Sequence, residues 1–199
     1  MSQAQRFLCA AICSLSFCSF AQMPVHKGFY LGLAGGYSRA DYSEVSFMNG
    51  IQFGSIGETG FAPSIQAGYE FNRWAALELS IIYDARIFFN TPNIDPSSPQ
   101  TYTKNNVVYL AFRPRWFFYD NLYVFSKLGL GYVVNSNVWV NNVQALDGDE
   151  YFRPVYGAGL GFRPGVHWQL ELSWLQTPQN LSVRIPTTNF VGFAIQYLF

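Results

Sequence analysis

The sequence predicts an all-β fold, an eight-stranded antiparallel up-and-down transmembrane β-barrel, on three observations. Large apolar residues alternate with small or polar ones at a period of two along eight separate stretches. The connections between those stretches alternate between short turns and long polar loops. Half of the residues are hydrophobic and only 12% are charged, about half the share usual in a soluble domain. A charged coat is therefore not what covers the surface. The body of the chain has no uncharged apolar run long enough for a transmembrane helix.

Residues 1–21 read as a secretory signal peptide and 22–199 as the barrel domain. Arg6 supplies the positive charge, Phe7 to Phe20 the apolar core, and Ser19-Phe20-Ala21 a small-x-small cleavage site before Gln22. Cys9, Cys13 and Cys18 all lie in this segment. The mature chain therefore lacks disulfides, thiolate metal sites and cysteine nucleophiles. Phe17 is bulky where a lipoprotein signal carries a small residue, which argues against acylation at Cys18. Without Arg6, eleven basic residues face twelve acidic ones, a balance with no electrostatic footprint for nucleic acid.

The first strand is Gly28 to Ser38, where Phe29, Leu31, Leu33 and Tyr37 oppose Gly32, Ala34, Gly36 and Ser38. The second runs from Phe61 to Phe71, with Gln66, Gly68 and Glu70 on its small or polar face. After the tight turn at Asn72-Arg73, the third carries Leu77, Leu79 and Ile81 against Ala76, Glu78 and Ser80. The fourth, about 106 to 118, sets Val108, Leu110, Phe112 and Trp116 against Tyr109, Ala111, Arg113 and Arg115. The fifth opposes Val124, Leu128, Leu130 and Tyr132 to Lys127, Gly129 and Gly131. The sixth, Val155 to Arg163, alternates Tyr156, Leu160 and Phe162 with glycines, and Pro164-Gly165 turns it into the seventh. There Trp168, Leu170, Leu172 and Trp174 oppose Gln169, Glu171 and Ser173. The last, Asn189 to Phe199, opposes Val191, Phe193, Ile195, Tyr197 and Phe199 to Gly192, Ala194 and Gln196, and should close antiparallel on the first.

Short turns near Asn72, Asp120 and Gly165 and long loops at about 39–60, 85–105, 135–153 and 176–188 describe a barrel of the outer-membrane type, with the long loops outside. A lipocalin-like soluble barrel would reverse the faces, with apolar residues inside and charges outside. Here the second face is mostly Gly, Ala and Ser, which fits a narrow lumen. Phe71, Trp74, Trp116, Phe162, Trp168 and Phe199 cluster toward the short turns, and Tyr37, Phe61, Tyr83, Tyr132 and Trp174 toward the long loops, as two interfacial girdles.

Counting up from the short turns places Glu78, Arg113, Lys127 and Glu171 at similar heights on the inward face, with Gln66 nearby. Their charges sum to zero, so the expected role is a structural ion-pair network that fills the lumen. The alternative is a gate that exchanges partners and passes small ions or solutes.

GFYLGLAGGYS, GYEFNRWAALELS, YVFSKLGLGYVV, GAGLGFRPGVHWQLELSW and the terminal strand ending in Phe199 resemble the barrel of the OmpA-like outer-membrane family, which includes small surface-antigen and opacity-type barrels. The resemblance spans nearly all of the mature chain. It implies a bacterial outer-membrane location, contact with outer-membrane lipid, and a charged interior network at Glu78, Lys127 and Glu171. It further implies that Gly192, Ile195, Tyr197 and Phe199 are the pattern read by the barrel-assembly machinery. Larger family members carry a peptidoglycan-binding domain after the barrel, which this sequence does not show.

Catalysis is not expected. The mature histidines are His26 and His167, and His167 and Ser173 are six residues apart on one strand, too far for proton transfer. No cofactor or metal is expected, since Asp147-Gly148-Asp149-Glu150 lacks the ligand spacing of a calcium loop. The expected role is structural or surface-interacting, through contacts of Phe47, Ile51, Phe53 and Trp139 in the long loops with a host or envelope protein. A narrow pore and, more remotely, a lipid-modifying barrel enzyme are the alternatives.

Overall fold

The computed structural model describes residues 27–41, 59–83, 87–89, 101–103, 105–135, 138–140, 143–146, 150–178 and 187–199. Residues 1–21, expected to be a signal peptide, and Phe47, Ile51 and Phe53 lie outside the described residues, as do Asp147, Gly148 and Asp149. The strands are β1 (Gly28–Asp41), β2 (Thr59–Asn72), β3 (Ala75–Ile82), β4 (Ile87–Phe89), β5 (Thr101–Thr103), β6 (Asn105–Phe117), β7 (Leu122–Asn135), β8 (Val138–Val140), β9 (Val143–Leu146), β10 (Glu150–Phe162), β11 (Trp168–Thr177) and β12 (Thr187–Leu198). Eight of them close into a barrel in the order β1-β12-β11-β10-β7-β6-β3-β2, and every neighbouring pair is antiparallel. The remaining four form two small hairpins, β4–β5 and β8–β9, within the long connections.

Alternation along the chain becomes a two-sided wall. On β12 the inward positions Gly192, Ala194, Gln196 and Leu198 are buried, while Val191, Phe193, Ile195 and Tyr197 face out. The seam runs in unbroken register from Tyr30↔Leu198 to Asp41↔Thr187, so neither terminal strand keeps an open edge. Outside, apolar side chains such as Leu33, Leu130 and Trp116 are 69%, 64% and 71% exposed. Such a continuous apolar exterior is stable only against hydrocarbon.

The turns at the short end are locally specified. Asn72 Oδ1 accepts a hydrogen bond from Trp74 N at 2.7 Å, an Asx turn that ends β2. The register shift between Glu70 and Asn72 tightens the bend. Arg73 and Asp120 pair at 3.3 Å between two turns, both partly exposed.

The inside departs from the face of small residues read from the sequence. Tyr30, Tyr123, Phe125, Phe190, Leu175 and Leu198 are all buried in the interior. Glycines make room for the rings: a Cβ on Gly68 would stand 2.3 Å from Tyr30 Cζ, and one on Gly161 2.1 Å from Tyr123 Cζ. Small and large inward residues are thus paired across strands, as a narrow barrel requires. Toward the long loops the lumen is mostly apolar, packed by Ile82, Val107, Val133, Val155, Leu175 and Phe190, with Ser38, Arg153, Thr177 and Thr188 buried among them. Below that layer charged and polar groups are interleaved with Tyr30, Phe117, Tyr123, Phe125 and Leu198.

Candidate functional site: the charged interior

Four barrel strands deliver the central charges. Glu78 comes from β3, Arg113 from β6, Lys127 from β7 and Glu171 from β11, and all are buried. Arg113 Nη1 donates to Glu78 Oε2 at 2.7 Å, and Arg113 Nη2 donates to Glu171 Oε1. Lys127 Nζ donates to Glu78 Oε1 at 2.6 Å. One guanidinium thus bridges two carboxylates, and an ammonium completes the balance.

Hydroxyl and amide groups take up most of the remaining valences, while Arg113 Nε and Gln196 Oε1 have no hydrogen-bond partner among the described residues. Tyr109 donates to Glu78 Oε1 at 2.9 Å, and the Tyr30 hydroxyl lies 3.1 Å from Glu78 Oε2 while accepting from Arg113 Nη1 at 2.8 Å. Gln196 Nε2 donates to Glu171 Oε2 at 2.9 Å and to Gln66 Oε1 at 2.8 Å. Arg113 also sits 4.6 Å above the Phe125 ring, a cation–π contact that partly replaces lost hydration. Buried charges persist where pairing and hydrogen bonds satisfy them together, and this cluster has both.

A second tier nearer the short turns was not anticipated as a cluster. Glu70 accepts from Arg115 Nη1 at 2.6 Å, from Arg163 Nη2 at 2.6 and 2.7 Å, and from Gln169 Nε2 at 2.5 Å. One carboxylate here serves two guanidiniums. Inward parity was visible for all four residues, as was their closeness to the short turns; the signal lay in applying the same height count to that lower level. The Tyr123 hydroxyl lies 2.8 Å from Gln169 Oε1 and 2.6 Å from Glu171 Oε1, joining the two tiers. Tyr123→Phe is therefore expected to lower unfolding stability by about 1.5 to 3 kcal/mol, the range for hydrogen bonds to charged groups. Urea unfolding in lipid vesicles measures it, and a loss below about 0.5 kcal/mol would remove Tyr123 as the link.

The other sequence-expected residues fall elsewhere. Gly192 faces inward beneath the Phe190 ring, and Ile195, Tyr197 and Phe199 face outward. Tyr197 contacts the rings of Trp168 and Phe199 at centroid distances of 5.1 and 5.2 Å, within the short-turn girdle. Trp139 belongs to β8, in a long connection. His167 stacks on Tyr197 and hydrogen-bonds through Nδ1 to Leu198 O at 2.9 Å. Glu171, its nearest acid in sequence on the same strand parity, is committed to Arg113 and Gln196. The structure does not bring His167 and Glu171 together as an acid–base pair.

Comparison with known proteins agrees with the geometry. A family model described as outer membrane protein beta-barrel domain matches residues 7–198. No curated protein matches the sequence. Among solved structures, neisserial surface protein A is similar over 86% of this chain and 97% of its own, with 12% identity and a TM-score of 0.62. Ail, the attachment invasion locus protein of Yersinia pestis, was solved in complex with the heparin analogue sucrose octasulfate. It is similar over 86% of this chain and 99% of its own, with 16% identity and a TM-score of 0.54. The N-terminal barrel of OprF from Pseudomonas aeruginosa is similar over 87% and 100%, at 11% identity and a TM-score of 0.55. At these identities the likeness is one of fold. The closed eight-stranded wall, its apolar exterior and the family match together place the chain: it belongs to the outer membrane protein β-barrel domain family, among the small OmpA-like barrels of the bacterial outer membrane.

Proposed function

We propose that this protein is a closed, rigid outer-membrane barrel whose role is structural or surface-interacting, exercised through its long loops. The observation that carries the reading is the filled lumen. Two ion-pair tiers are capped toward the long loops by a mostly apolar layer of Ile82, Val107, Val133, Val155, Leu175 and Phe190, with Arg153 and the hydroxyls of Ser38, Thr177 and Thr188 buried at the same end. An ion that passed the charged tiers would still have to cross this mostly apolar, side-chain-filled layer, where shedding its water is costly. This weighs against the pore, because a change of partners among Glu78, Arg113, Lys127 and Glu171 leaves the apolar layer in place. Catalysis is disfavoured by the separate commitments of His167 and Glu171.

With the lumen filled, loops on a rigid scaffold are the part of the chain left to recognise something. The Ail complex with a heparin analogue supplies a precedent for ligand binding by a barrel of this fold. Replacing residues 47–53 and 138–140 with Gly-Ser should abolish adhesion of cells displaying the protein to host-cell or envelope-protein surfaces and leave the barrel folded. Vesicles containing the wild-type protein should not swell in small sugars. Swelling above the protein-free control would favour the pore, and adhesion unchanged by both replacements would remove the loop contacts.

Gly192, Ile195, Tyr197 and Phe199 are proposed to act before any of this, as the pattern read by the assembly machinery. Deleting Phe199 should leave secretion intact and reduce the membrane-inserted fraction several-fold, measured by surface proteolysis. A normal inserted fraction would reduce Phe199 to a girdle residue.

A further inference from the structure

The outer wall is not evenly packed. Ala67 on β2 faces outward between Leu31 of β1 and Leu79 of β3, its cross-strand neighbours. Because its side chain stops at Cβ, a groove opens there of about 380 Å³. That volume is within the size class of ligand pockets. The walls are Phe29, Leu31, Tyr69, Leu77, Leu79 and Phe199, so the surface presented is hydrocarbon and aromatic. Phe29 and Tyr69 meet edge to face at 4.9 Å, which fixes the wall nearest the girdle.

A basic residue lies two positions before the groove's wall residue Phe29. Lys27 immediately precedes β1 and is exposed. It lies just outside β1, and the strand's alternation continued one step past Gly28 would set it on the side of Phe29 and Leu31. From Lys27 to Leu31 is about 13 Å at about 3.3 Å per residue. An acyl chain lying along that length in the groove would bring its headgroup phosphate to the Lys27 ammonium at the membrane surface. The groove lies at the short-turn end, which in this class of barrel is the periplasmic side.

We propose that the β1–β3 face is a binding site for one phospholipid of the periplasmic leaflet, its acyl chain over Ala67 and its phosphate at Lys27. The site is independent of the loops and of whatever they contact. It needs only the wall and the membrane in which the wall sits.

The test uses the full folded chain in lipid nanodiscs, transferred to detergent and analysed by native mass spectrometry with phosphatidylglycerol as the probe. The wild type should retain one phospholipid. Ala67→Phe, which fills the groove from outside and leaves the lumen untouched, should lower retention at least tenfold. Lys27→Glu, which lies outside the strands and does not threaten folding, should lower it about fivefold, the scale of one basic group at an anionic surface. Retention at the wild-type level in either variant would overturn the proposal. So would an Ala67→Phe chain that keeps its phospholipid and instead loses a cross-linkable dimer, because the groove would then be covered by a second copy of the barrel.

Discussion

Replacing Arg113 with methionine is expected to destabilise the barrel by about 3 to 5 kcal/mol, the range for removing one partner of a buried ion pair. Arg113 is fully buried and bonds both Glu78 and Glu171. The two carboxylates would not suffer equally. Glu78 keeps Lys127 at 2.6 Å and the Tyr109 hydroxyl. Among the described residues Glu171 keeps the neutral groups of Tyr123 and Gln196, so it becomes an uncompensated buried charge. The double variant Arg113→Met with Glu171→Gln should therefore recover at least about 1 kcal/mol of the loss, a coupling of the size found for neighbours in one network. Urea unfolding of the protein in vesicles, followed by tryptophan fluorescence, gives both numbers. A single-variant loss below about 1 kcal/mol would mean that the central tier does not hold the barrel together.

The same comparison shows what the sequence made legible. Period-two alternation is a local property, and it located every barrel strand because one face had to meet lipid and the other a narrow lumen. Closure of β12 on β1 followed from the same logic, since two long apolar edges cannot be left unpaired. Height above the short turns is the signal that pointed to Glu78, Arg113, Lys127 and Glu171, which come from four strands. The lower tier of Glu70, Arg115, Arg163 and Gln169 lay on the same inward parity. What hid it was that a contact such as Arg163 to Glu70, 93 residues apart, crosses the lumen from the end of β10 to β2, which are not neighbours. Pairing across a barrel depends on stagger and curvature, which a single strand's pattern does not encode. The apolar upper lumen was obscured for a related reason. Val107, Val133, Val155 and Leu175 stand near strand ends, where their inward parity runs against the expectation that the apolar side of the wall faces lipid.

Gly36→Val is expected to prevent the seam from closing, with a loss of about 3 kcal/mol or more, at the upper end for overpacked sites. Gly36 pairs with Gly192 where the first strand meets the last. A Cβ at Gly36 would stand 2.2 Å from Val191 O and 2.6 Å from Gly192 Cα, both backbone atoms of the partner strand, and 2.8 Å from Phe190 Cζ. A ring can rotate aside, but the partner backbone moves only by breaking the register that runs from Tyr30↔Leu198 to Asp41↔Thr187. Two variants separate these contributions. Phe190→Ala removes the ring, opens a cavity in the upper lumen and should cost about 3 to 5 kcal/mol while the barrel still closes. Adding Phe190→Ala to Gly36→Val should not restore closure, because the clash with Val191 O and Gly192 Cα remains. Closure is measured by protection of the β1 and β12 amides from hydrogen exchange, with the β6–β7 amides as an internal reference. Full protection of the seam in Gly36→Val would show that the first and last strands can part by the width of a side chain without opening the barrel.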